Sequence, residues 1–317
     1  MSATTTVGVI GLGSMGRPMA RNLANAGHRV LGYDISERAM ASAVADGVSA
    51  VPDAASLAAQ CELVITMVWD DDALREVLFG ATGVTASAPL PQCVVDLSTT
   101  SVSVAREAGR LLAERGVAFL DGAIIGGGAP AAKAGTSPIV MAGERATFDR
   151  YLSVLARLGT CDYVGAQGLA KVVKIINNLL VGVVTAANAE ALSLGVAMGL
   201  ELRELVELMG QSCGSSRVLQ SYMGRFVEEG RYGDGLIGHR LMAKDLRLAA
   251  DLAEEVDCPA TLPRFAEHMY VAFGRALGAE RPFPSAYEYF RQVNGGSTDG
   301  SRGAIAPESC KHEEARQ

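Results

Sequence analysis

The sequence lacks the cysteine and histidine patterns that mark disulfide scaffolds and metal sites. None of its six cysteines lies in a C-x-x-C pair, and its four histidines are dispersed, with no ligand pair and no evident catalytic partner. We therefore expect free thiols in a reducing cytoplasm and no metal site. The cysteines are Cys61, Cys93, Cys161, Cys213, Cys258 and Cys310.

An excess of positive charge is also missing. The formal net charge is −7, which predicts neither a nucleic-acid partner nor binding to an anionic membrane surface. No basic segment followed by an apolar run stands at the N-terminus, so we do not expect secretion. The apolar run 172–184 is interrupted by Lys174, Asn177 and Asn178, and we do not expect it to span a membrane.

What the chain does have is enough apolar sequence for two sizeable domains. It has 317 residues, of which 49% are hydrophobic and 20% charged. Up to about residue 160, short apolar strands alternate with helical stretches, which predicts an α/β fold with a doubly wound parallel sheet. The predicted strands are 7–10, 30–33, 63–68, 93–96, 118–122, 137–142 and 160–164.

Helical periodicity replaces this alternation after Gly168, so the second domain is predicted to be all-helical. From residue 294 onward the chain is rich in glycine, serine and charge, which is typical of a disordered tail. The predicted division is therefore a first domain at 1–166, a helical domain at 167–293 and a tail at 294–317.

A glycine-rich segment follows the first predicted strand. Gly11, Gly13 and Gly16 have the spacing G-x-G-x-x-G between a strand and a helix, the fingerprint of a dinucleotide-binding Rossmann sheet. The first glycine permits a tight turn, the second lets the backbone approach a pyrophosphate, and the third lets the helix pack closely. The helix N-terminus offers N–H groups to the phosphates. The predicted cofactor-binding segment is Gly11, Leu12, Gly13, Ser14, Met15 and Gly16.

An acidic residue, Asp34, ends the second predicted strand. It follows the glycines by about 20 positions, where a carboxylate suits the ribose diol of NAD and repels the 2′-phosphate of NADP. Arg38, one turn on, would soften this preference. Asp34 is also placed to cap the following helix, and the two roles are compatible. We predict NAD as the cofactor, with NADP less favoured.

A polar stripe interrupts the apolar residues of the first helix after Gly168. Lys171, Lys174 and Asn178 fall within roughly 60° of one another at about 100° per residue. A buried ammonium needs partners, and its pKa can be tuned for proton transfer, so the stripe predicts one wall of a cleft. The alternative is a solvated face, but such faces carry both signs of charge, and no carboxylate appears between Lys171 and Glu190.

Two loops after predicted strands bear on the same site. Residues 96–101 (Asp-Leu-Ser-Thr-Thr-Ser) carry hydroxyls that can cap a helix or hold a carboxylate at its N-terminus. Residues 121–128 end in three glycines, whose N–H groups either grip an anion or form a flexible turn. Ligands of doubly wound sheets bind at the carboxyl ends of the strands, so we expect both loops at one site.

Four segments in this order resemble the β-hydroxyacid dehydrogenase family, which includes 3-hydroxyisobutyrate dehydrogenase and tartronate semialdehyde reductase. They are residues 11–23, 96–99, 174–178 (Lys-Ile-Ile-Asn-Asn) and 244–249 (Lys-Asp-Leu-Arg-Leu-Ala). The resemblance covers about residues 6–293. It implies an NAD-dependent oxidoreductase that moves hydride between nicotinamide and a small 3-hydroxy acid or the corresponding semialdehyde.

The resemblance also implies a role for each matching residue. Lys174 would be the general acid/base, and Asn178 would orient it or the reacting oxygen. Ser98, with the backbone of Gly126 and Gly127, would hold the substrate carboxylate. The residues that would line or close over the dinucleotide are Val68, Trp69, Thr99, Lys244 and Asp245.

One departure from the family pattern bears on the substrate. The family loop Asp-Ala-Pro-Val-Ser-Gly-Gly is Asp-Gly-Ala-Ile-Ile-Gly-Gly at residues 121–127, with Ile125 in place of the serine. One hydroxyl contact is lost and an apolar surface gained. We therefore expect Ile125 to contact the substrate, and the substrate to be bulkier or more apolar than 3-hydroxyisobutyrate.

Two alternatives stay open, an imine reductase of the same architecture and a non-catalytic nicotinamide-binding protein. Imine reductases generally replace the catalytic lysine and prefer NADP, so Lys174 and Asp34 argue against the first. The presence of Lys174 argues against the second as well. A long apolar helix usually hides part of its surface in a partner, so we expect a homodimer or homotetramer.

Overall fold

In a computed structural model, the structure describes residues 5–233 and 235–295, which form two compact units. Unit 1 contains residues 5–180, 235–236 and 241–267, and unit 2 contains residues 181–233, 237–240 and 268–295. These units do not follow a single cut along the chain, and the division at residues 166/167 stays a prediction. Of the predicted tail, residues 296–317 lie outside the described residues.

Unit 1 is built on an eight-stranded sheet. Its strands are β1 (Thr6–Ile10), β2 (Arg29–Tyr33), β3 (Ser49–Ala50), β4 (Leu63–Thr66), β5 (Cys93–Asp96), β6 (Ala118–Ile124), β7 (Ser137–Gly143) and β8 (Gly159–Gly165). The strand order is β3-β2-β1-β4-β5-β6-β7-β8. The seven predicted strands are present within two residues at each end, while the short β3 was not predicted.

The sheet is mostly parallel, as expected, but one junction differs. Strands β1 to β6 are parallel to one another, whereas β7 is antiparallel to β6 and parallel to β8. The connection from β6 to β7 holds only a seven-residue helix, Gly128–Ala134. Such a helix spans about 10 Å, too little to return the chain along a strand of about 23 Å. The sheet is therefore mostly parallel, and β7 is the strand at which it departs from the predicted parallel arrangement.

Helices cover both faces of the sheet. The α-helices of the described residues are α1 (Gly16–Asn25), α2 (Glu37–Ala45), α3 (Ala54–Ala58), α4 (Asp71–Phe79), α5 (Val102–Ala113), α6 (Gly128–Ala134), α7 (Arg145–Leu155), α8 (Leu169–Ala197), α9 (Leu202–Gly210), α10 (Arg225–Glu229), α11 (His239–Glu255), α12 (Leu262–Leu277) and α13 (Ala286–Val293). Alternate residues of β4 enter different apolar clusters, Leu63 and Ile65 on one side and Val64 on the other. This alternation follows from the two-residue period of a strand and confirms the doubly wound architecture.

Helix α8 begins in unit 1, where it packs on α11. Val172, Ile175 and Leu179 lie in one apolar cluster with Leu248 and Leu252. By length and composition alone, this 29-residue helix is apolar enough to cross a membrane. Its first turns are instead part of the core of unit 1, since they are packed on α11 and hydrogen-bonded to the sheet.

Unit 2 is helical and has an aromatic core. Phe273 lies 5.3 Å from Tyr270 and 5.0 Å from Tyr289, measured between ring centroids. The Tyr270 hydroxyl donates a hydrogen bond to the carbonyl oxygen of Gly182 on α8 (3.1 Å). These contacts confirm the prediction of a helical second half.

Candidate active site

The glycine-rich loop 11–16 joins β1 to α1. Gly11 has a φ of +91°, and a Cβ there would collide with the carbonyl oxygen of Met67. A Cβ on Gly16 would collide with the carbonyl oxygen of Gly11. A Cβ on Gly13, in contrast, would meet no described atom within 4 Å. The turn and the helix packing therefore require the outer glycines, whereas the reason that fits Gly13 is the close approach of a ligand.

The carboxylate of Asp34 is held beside this loop, at the end of β2. Its Oδ2 accepts a hydrogen bond from the N–H of Leu12 (2.6 Å), and its Oδ1 accepts one from the N–H of Ser36 (2.8 Å). The cap of α2 is Ser36, whose Oγ accepts from the N–H of Ala39 (3.3 Å). The suggestion that Asp34 caps this helix is therefore wrong, because Ser36 occupies that position.

Lys171 is fully buried. Its Nζ donates hydrogen bonds to the carbonyl oxygens of Asp96 (3.1 Å), Ser98 (2.8 Å) and Gly122 (2.8 Å), and it lies 2.8 Å from Oδ2 of Asp96. The polar stripe on α8 is thus not a single wall of a cleft. Its first residue is satisfied within unit 1 by the ends of β5 and β6.

Lys174, one turn further along α8, is half-buried. Its Nζ donates a hydrogen bond to the carbonyl oxygen of Ile124, at the end of β6 (2.6 Å). Burial lowers the pKa of Lys174 from its ordinary value, and the positive charges of Lys244 and Lys171 lower it further, whereas Asp245 opposes the shift. A lysine with a lowered pKa at a strand end is suited to exchanging protons.

Asn178 and Asp245 form a buried pair next along the stripe. The Nδ2 of Asn178 donates a hydrogen bond to Oδ2 of Asp245 (2.6 Å), and the Oδ1 of Asn178 accepts one from Nδ2 of Asn177 (3.0 Å). These bonds fix the orientation of the Asn178 amide. The structure therefore places Asn178 one turn after Lys174 on α8, in contact with Asp245 on α11.

Lys244 connects α11 to the loops after β4 and β5. Its Nζ donates hydrogen bonds to the carbonyl oxygens of Thr99 (2.7 Å) and Trp69 (3.2 Å), and lies 3.3 Å from Oδ1 of Asp245. The side chain of Trp69 is 49% exposed. Three predicted cofactor-lining residues therefore meet at the carboxyl edge of the sheet.

Ser98 is fully buried beneath the loop that follows β4. Its Oγ accepts a hydrogen bond from the N–H of Val68 (2.8 Å). Its own N–H donates to Oδ1 of Asp96 (3.1 Å), which also accepts from the hydroxyl of Thr66 (2.7 Å). The structure therefore assigns the Ser98 hydroxyl to the support of Val68, and its role toward a carboxylate stays a prediction.

The glycine loop after β6 leads into α6. Gly127 and Gly128 have φ values of +76° and +52°. Gly126 and Gly127 keep some surface exposure, as does Ile125. The side chain of Ile125 packs against the apolar cluster that includes Ala170. Only part of the Ile125 side chain is therefore available to a substrate.

Asp121 is a buried residue of this region that sequence reasoning did not single out. Its Oδ1 accepts a hydrogen bond from the N–H of Gly168 (2.7 Å), just before α8. Burial raises the pKa of Asp121, and the positive charge of Lys171 opposes that shift. The sequence feature that could have identified Asp121 is an acidic residue inside an otherwise apolar strand.

Two family models match this chain, one over its first part and one over its second. Residues 6–166 match the NAD binding domain of 6-phosphogluconate dehydrogenase, and residues 168–290 match the NAD-binding region of NADP-dependent 3-hydroxyisobutyrate dehydrogenase. The chain belongs to the β-hydroxyacid dehydrogenase family. It is therefore a nicotinamide-dependent oxidoreductase that acts on the CH–OH group of hydroxy acids.

Two relatives and one solved structure are similar over most of the chain. The 2-(hydroxymethyl)glutarate dehydrogenase of Eubacterium barkeri is 34% identical over 95% of this chain and 100% of its own length. The 3-hydroxyisobutyrate dehydrogenase of Pseudomonas aeruginosa is 33% identical over 86% of this chain and 93% of its own length. The structure of 3-hydroxyisobutyrate dehydrogenase from Mycobacterium tuberculosis with L-serine has a TM-score of 0.81 and 29% identity. The match covers 91% of this chain and 100% of that one. An imine reductase from Streptomyces aurantiacus, at 24% identity and a TM-score of 0.58, shares the fold alone.

The described residues fit a dinucleotide. A Cβ on Gly13 would meet no described atom within 4 Å, which leaves room for a ligand to approach the backbone. Helix α1 begins at Gly16 with no side-chain cap from Met15, which leaves its N-terminus to an anion. The Asp34 carboxylate lies beside the loop, where it suits a free ribose diol. NAD is therefore the cofactor that these residues favour, and NADP is less favoured.

Proposed function

We propose that this protein is an NAD-dependent dehydrogenase of a small 3-hydroxy acid, or a reductase of the corresponding semialdehyde, with Lys174 as its general acid/base. The observation that carries the proposal is the position of Lys174. Its Nζ lies 2.6 Å from the carbonyl oxygen of Ile124 at the carboxyl edge of the sheet. That edge is where ligands of doubly wound sheets bind.

Proton transfer is the part of the chemistry that falls to Lys174. In oxidation, the neutral amine takes the proton of the substrate hydroxyl, and in reduction the ammonium returns it to the carbonyl oxygen. The bound nicotinamide supplies the complementary hydride transfer. Because burial lowers the pKa of Lys174, more of the neutral amine is present near neutral pH than for an exposed lysine.

Asn178 is proposed to orient either Lys174 or the reacting oxygen. An asparagine amide has two N–H donors, and one of those of Asn178 is engaged by Asp245. The second donor is suited to the substrate oxygen. The contact with Asp245 holds the amide in one orientation, which reduces the entropy lost when substrate binds.

The substrate carboxylate is proposed to bind where the loops after β5 and β6 meet. The backbone N–H groups of Gly126 and Gly127 would supply donors. Ser98 accepts from the N–H of Val68 through its oxygen, so its own hydroxyl proton stays available for donation. Ile125 would face the substituent of the substrate with the exposed part of its side chain.

The dinucleotide is proposed to lie along the same edge. Loop 11–16 would bind the pyrophosphate and Asp34 the adenosine ribose. The nicotinamide half would be lined by Val68, Trp69 and Thr99. Lys244 on α11 donates hydrogen bonds to the backbone carbonyls of Trp69 and Thr99.

A spectrophotometric screen at a wavelength where NADH absorbs tests the proposal. Wild type and Lys174→Ala are supplied with NAD or NADP and a panel of 3-hydroxy acids, or with reduced cofactor and semialdehydes or cyclic imines. We expect hydroxy-acid turnover with NAD that falls at least about a hundredfold in Lys174→Ala. Lys133→Ala, which alters an exposed lysine on α6, is the matched control and should keep wild-type activity. Imine reduction, or turnover indifferent to Lys174, would contradict the proposal.

The protein is further proposed to be a homodimer or homotetramer in the cytoplasm. Ile176 and Leu180 on α8 are exposed in unit 1, and Leu194 and Met198 are exposed in unit 2. Exposed apolar side chains in such number support association. Size-exclusion chromatography with light scattering that shows only a monomer would contradict the oligomer.

A further inference from the structure

Lys171 is a charged side chain that the proposed chemistry does not use. It lies one helical turn before Lys174 and is fully buried. Placing an ammonium in a protein interior is costly unless partners compensate for its lost water. Here they do, since the Nζ of Lys171 reaches three carbonyl oxygens and one carboxylate. Such a complete set of partners calls for an explanation beyond the packing of α8.

We propose that Lys171 is a positioning residue, which locks the start of α8 onto the carboxyl ends of β5 and β6 and thereby sets the place of Lys174. The inference rests on the proposed function of Lys174. It assigns Lys171 no contact with substrate or cofactor.

The contacts of the two lysines along β6 support this role. Lys171 donates to the carbonyl oxygen of Gly122 (2.8 Å), and Lys174 donates to that of Ile124 (2.6 Å). Carbonyls two residues apart on a strand point to the same side, and residues three apart on a helix share a face. The pair therefore fixes the register of α8 against β6. Without the contact of Lys171, only the bond from Lys174 would remain of this pair.

Two further sets of contacts hold the start of α8 on the sheet: Lys171 also binds at the end of β5, and Gly168, just before α8, binds β6. Lys171 donates to the carbonyls of Asp96 (3.1 Å) and Ser98 (2.8 Å), beyond which lies the loop that supports Val68. Asp121 on β6 accepts from the N–H of Gly168 (2.7 Å). An apolar residue at position 171 would leave these strand-end carbonyls without their donor.

The charges around Lys174 determine the sign of the expected pH effect. Lys171 on α8 and Lys244 on α11 face it with positive charge, and Asp245 on α11 faces it with negative charge. Lys171 in turn faces Asp96 on β5 and Asp121 on β6. Loss of the Lys171 charge removes a repulsion and leaves two carboxyl groups without their cation. Both changes favour the ammonium form of Lys174 and move its titration to higher pH.

Steady-state oxidation of the best substrate of the panel, measured across pH, tests the inference with Lys171→Met, Lys171→Arg and Lys174→Ala. For Lys171→Met we expect kcat at pH 8 to fall about tenfold to a hundredfold. We expect KM to change less than about threefold. The midpoint, which is the pH at which kcat reaches half of its maximum as kcat rises with pH, should increase by about one pH unit. Lys171→Arg keeps the charge but not the geometry of the ammonium, so its kcat should fall while its midpoint stays. Lys133→Met, at an exposed lysine, should match wild type.

Folding of each variant is checked by thermal unfolding and by NADH binding. A folded Lys171→Met with wild-type kcat and midpoint would overturn the positioning role. If Lys171→Met does not fold, Lys171→Arg decides: a lowered kcat with unchanged KM supports the inference, and a wild-type kcat overturns it. Turnover retained in Lys174→Ala would instead overturn the proposed function, which keeps the two failures distinct.

Discussion

The substitution Gly13→Ala is predicted to weaken binding of the dinucleotide without destabilising the fold. The new Cβ would meet no described atom within 4 Å, and φ at Gly13 lies outside the left-handed region. At such a position, alanine stabilises a protein by about 0.4–1 kcal/mol, because it restricts the unfolded chain. The free energy of unfolding should therefore stay the same or rise slightly.

The cost of Gly13→Ala should appear only when the dinucleotide binds. A methyl group inserted where the backbone approaches the pyrophosphate is an overpacking of about 1–3 kcal/mol. That range corresponds to an NADH dissociation constant raised roughly fivefold to a hundredfold. Gly16→Ala should differ, because its Cβ would collide with the carbonyl oxygen of Gly11 and so destabilise the fold itself.

Fluorescence provides the assay for Gly13→Ala. The chain has one tryptophan, Trp69, which is 49% exposed at the edge where nicotinamide is proposed to bind. Energy transfer from Trp69 to NADH gives the dissociation constant, and thermal unfolding reports on the fold. Gly210→Ala is the matched control, since a Cβ there also meets no described atom within 4 Å. A wild-type dissociation constant in Gly13→Ala would refute the placement of the pyrophosphate.

Three further predictions concern the cofactor, pH and assembly. Asp34→Ser should weaken NADH binding and strengthen NADPH binding by about tenfold each, since the carboxylate that repels a 2′-phosphate is gone; unchanged preference in fluorescence titrations would count against this role. Burial lowers the pKa of His239 to about 4, so its folded form stays neutral while the unfolded form gains a proton below about 6.5. Stability should thus fall by about 2 kcal/mol from pH 7 to pH 5 through this residue, and urea unfolding of His239→Gln should lack that loss. Introducing charge on the exposed part of α8 in unit 2, as Leu194→Glu with Met198→Glu, should convert an oligomer into monomers in light scattering, and an unchanged mass would exclude this surface from the interface.

Much of the fold follows from local sequence patterns, and its exceptions have physical causes. Apolar strands alternating with helices predicted the sheet because its central strands β1, β4, β5 and β6 are buried on both faces. The reversal at β7 was not predicted, because the alternation of residues carries no information about strand direction. Helix α6 was not predicted, because two glycines precede it and a third begins it, glycine has a low helix propensity, and the helix contains Pro130.

The sequence predicted which residues belong to the candidate site better than it predicted how deeply each of them is buried. Helical spacing placed Lys171 and Lys174 on one face. It did not show that the first is fully buried and the second half-buried, since that difference depends on where the carbonyls of β5 and β6 end. Likewise, local spacing did not indicate that the oxygen of Ser98 accepts a hydrogen bond from the N–H of Val68, while its role toward a substrate carboxylate stays a prediction. Such long-range partners are not visible in local spacing.

The pH dependence of kcat for wild type and Lys174→Gln, at saturating NAD and hydroxy acid, tests the role of Lys174 most directly. Oxidation requires the neutral amine, so kcat should be low when Lys174 is protonated and should rise as pH passes through its pKa. Burial lowers that pKa from 10.5, so the midpoint in wild type should lie below 10.5, and Lys174→Gln should lack this limb while still binding NADH. The same limb persisting in Lys174→Gln, or a wild-type midpoint at or above 10.5, would contradict the account.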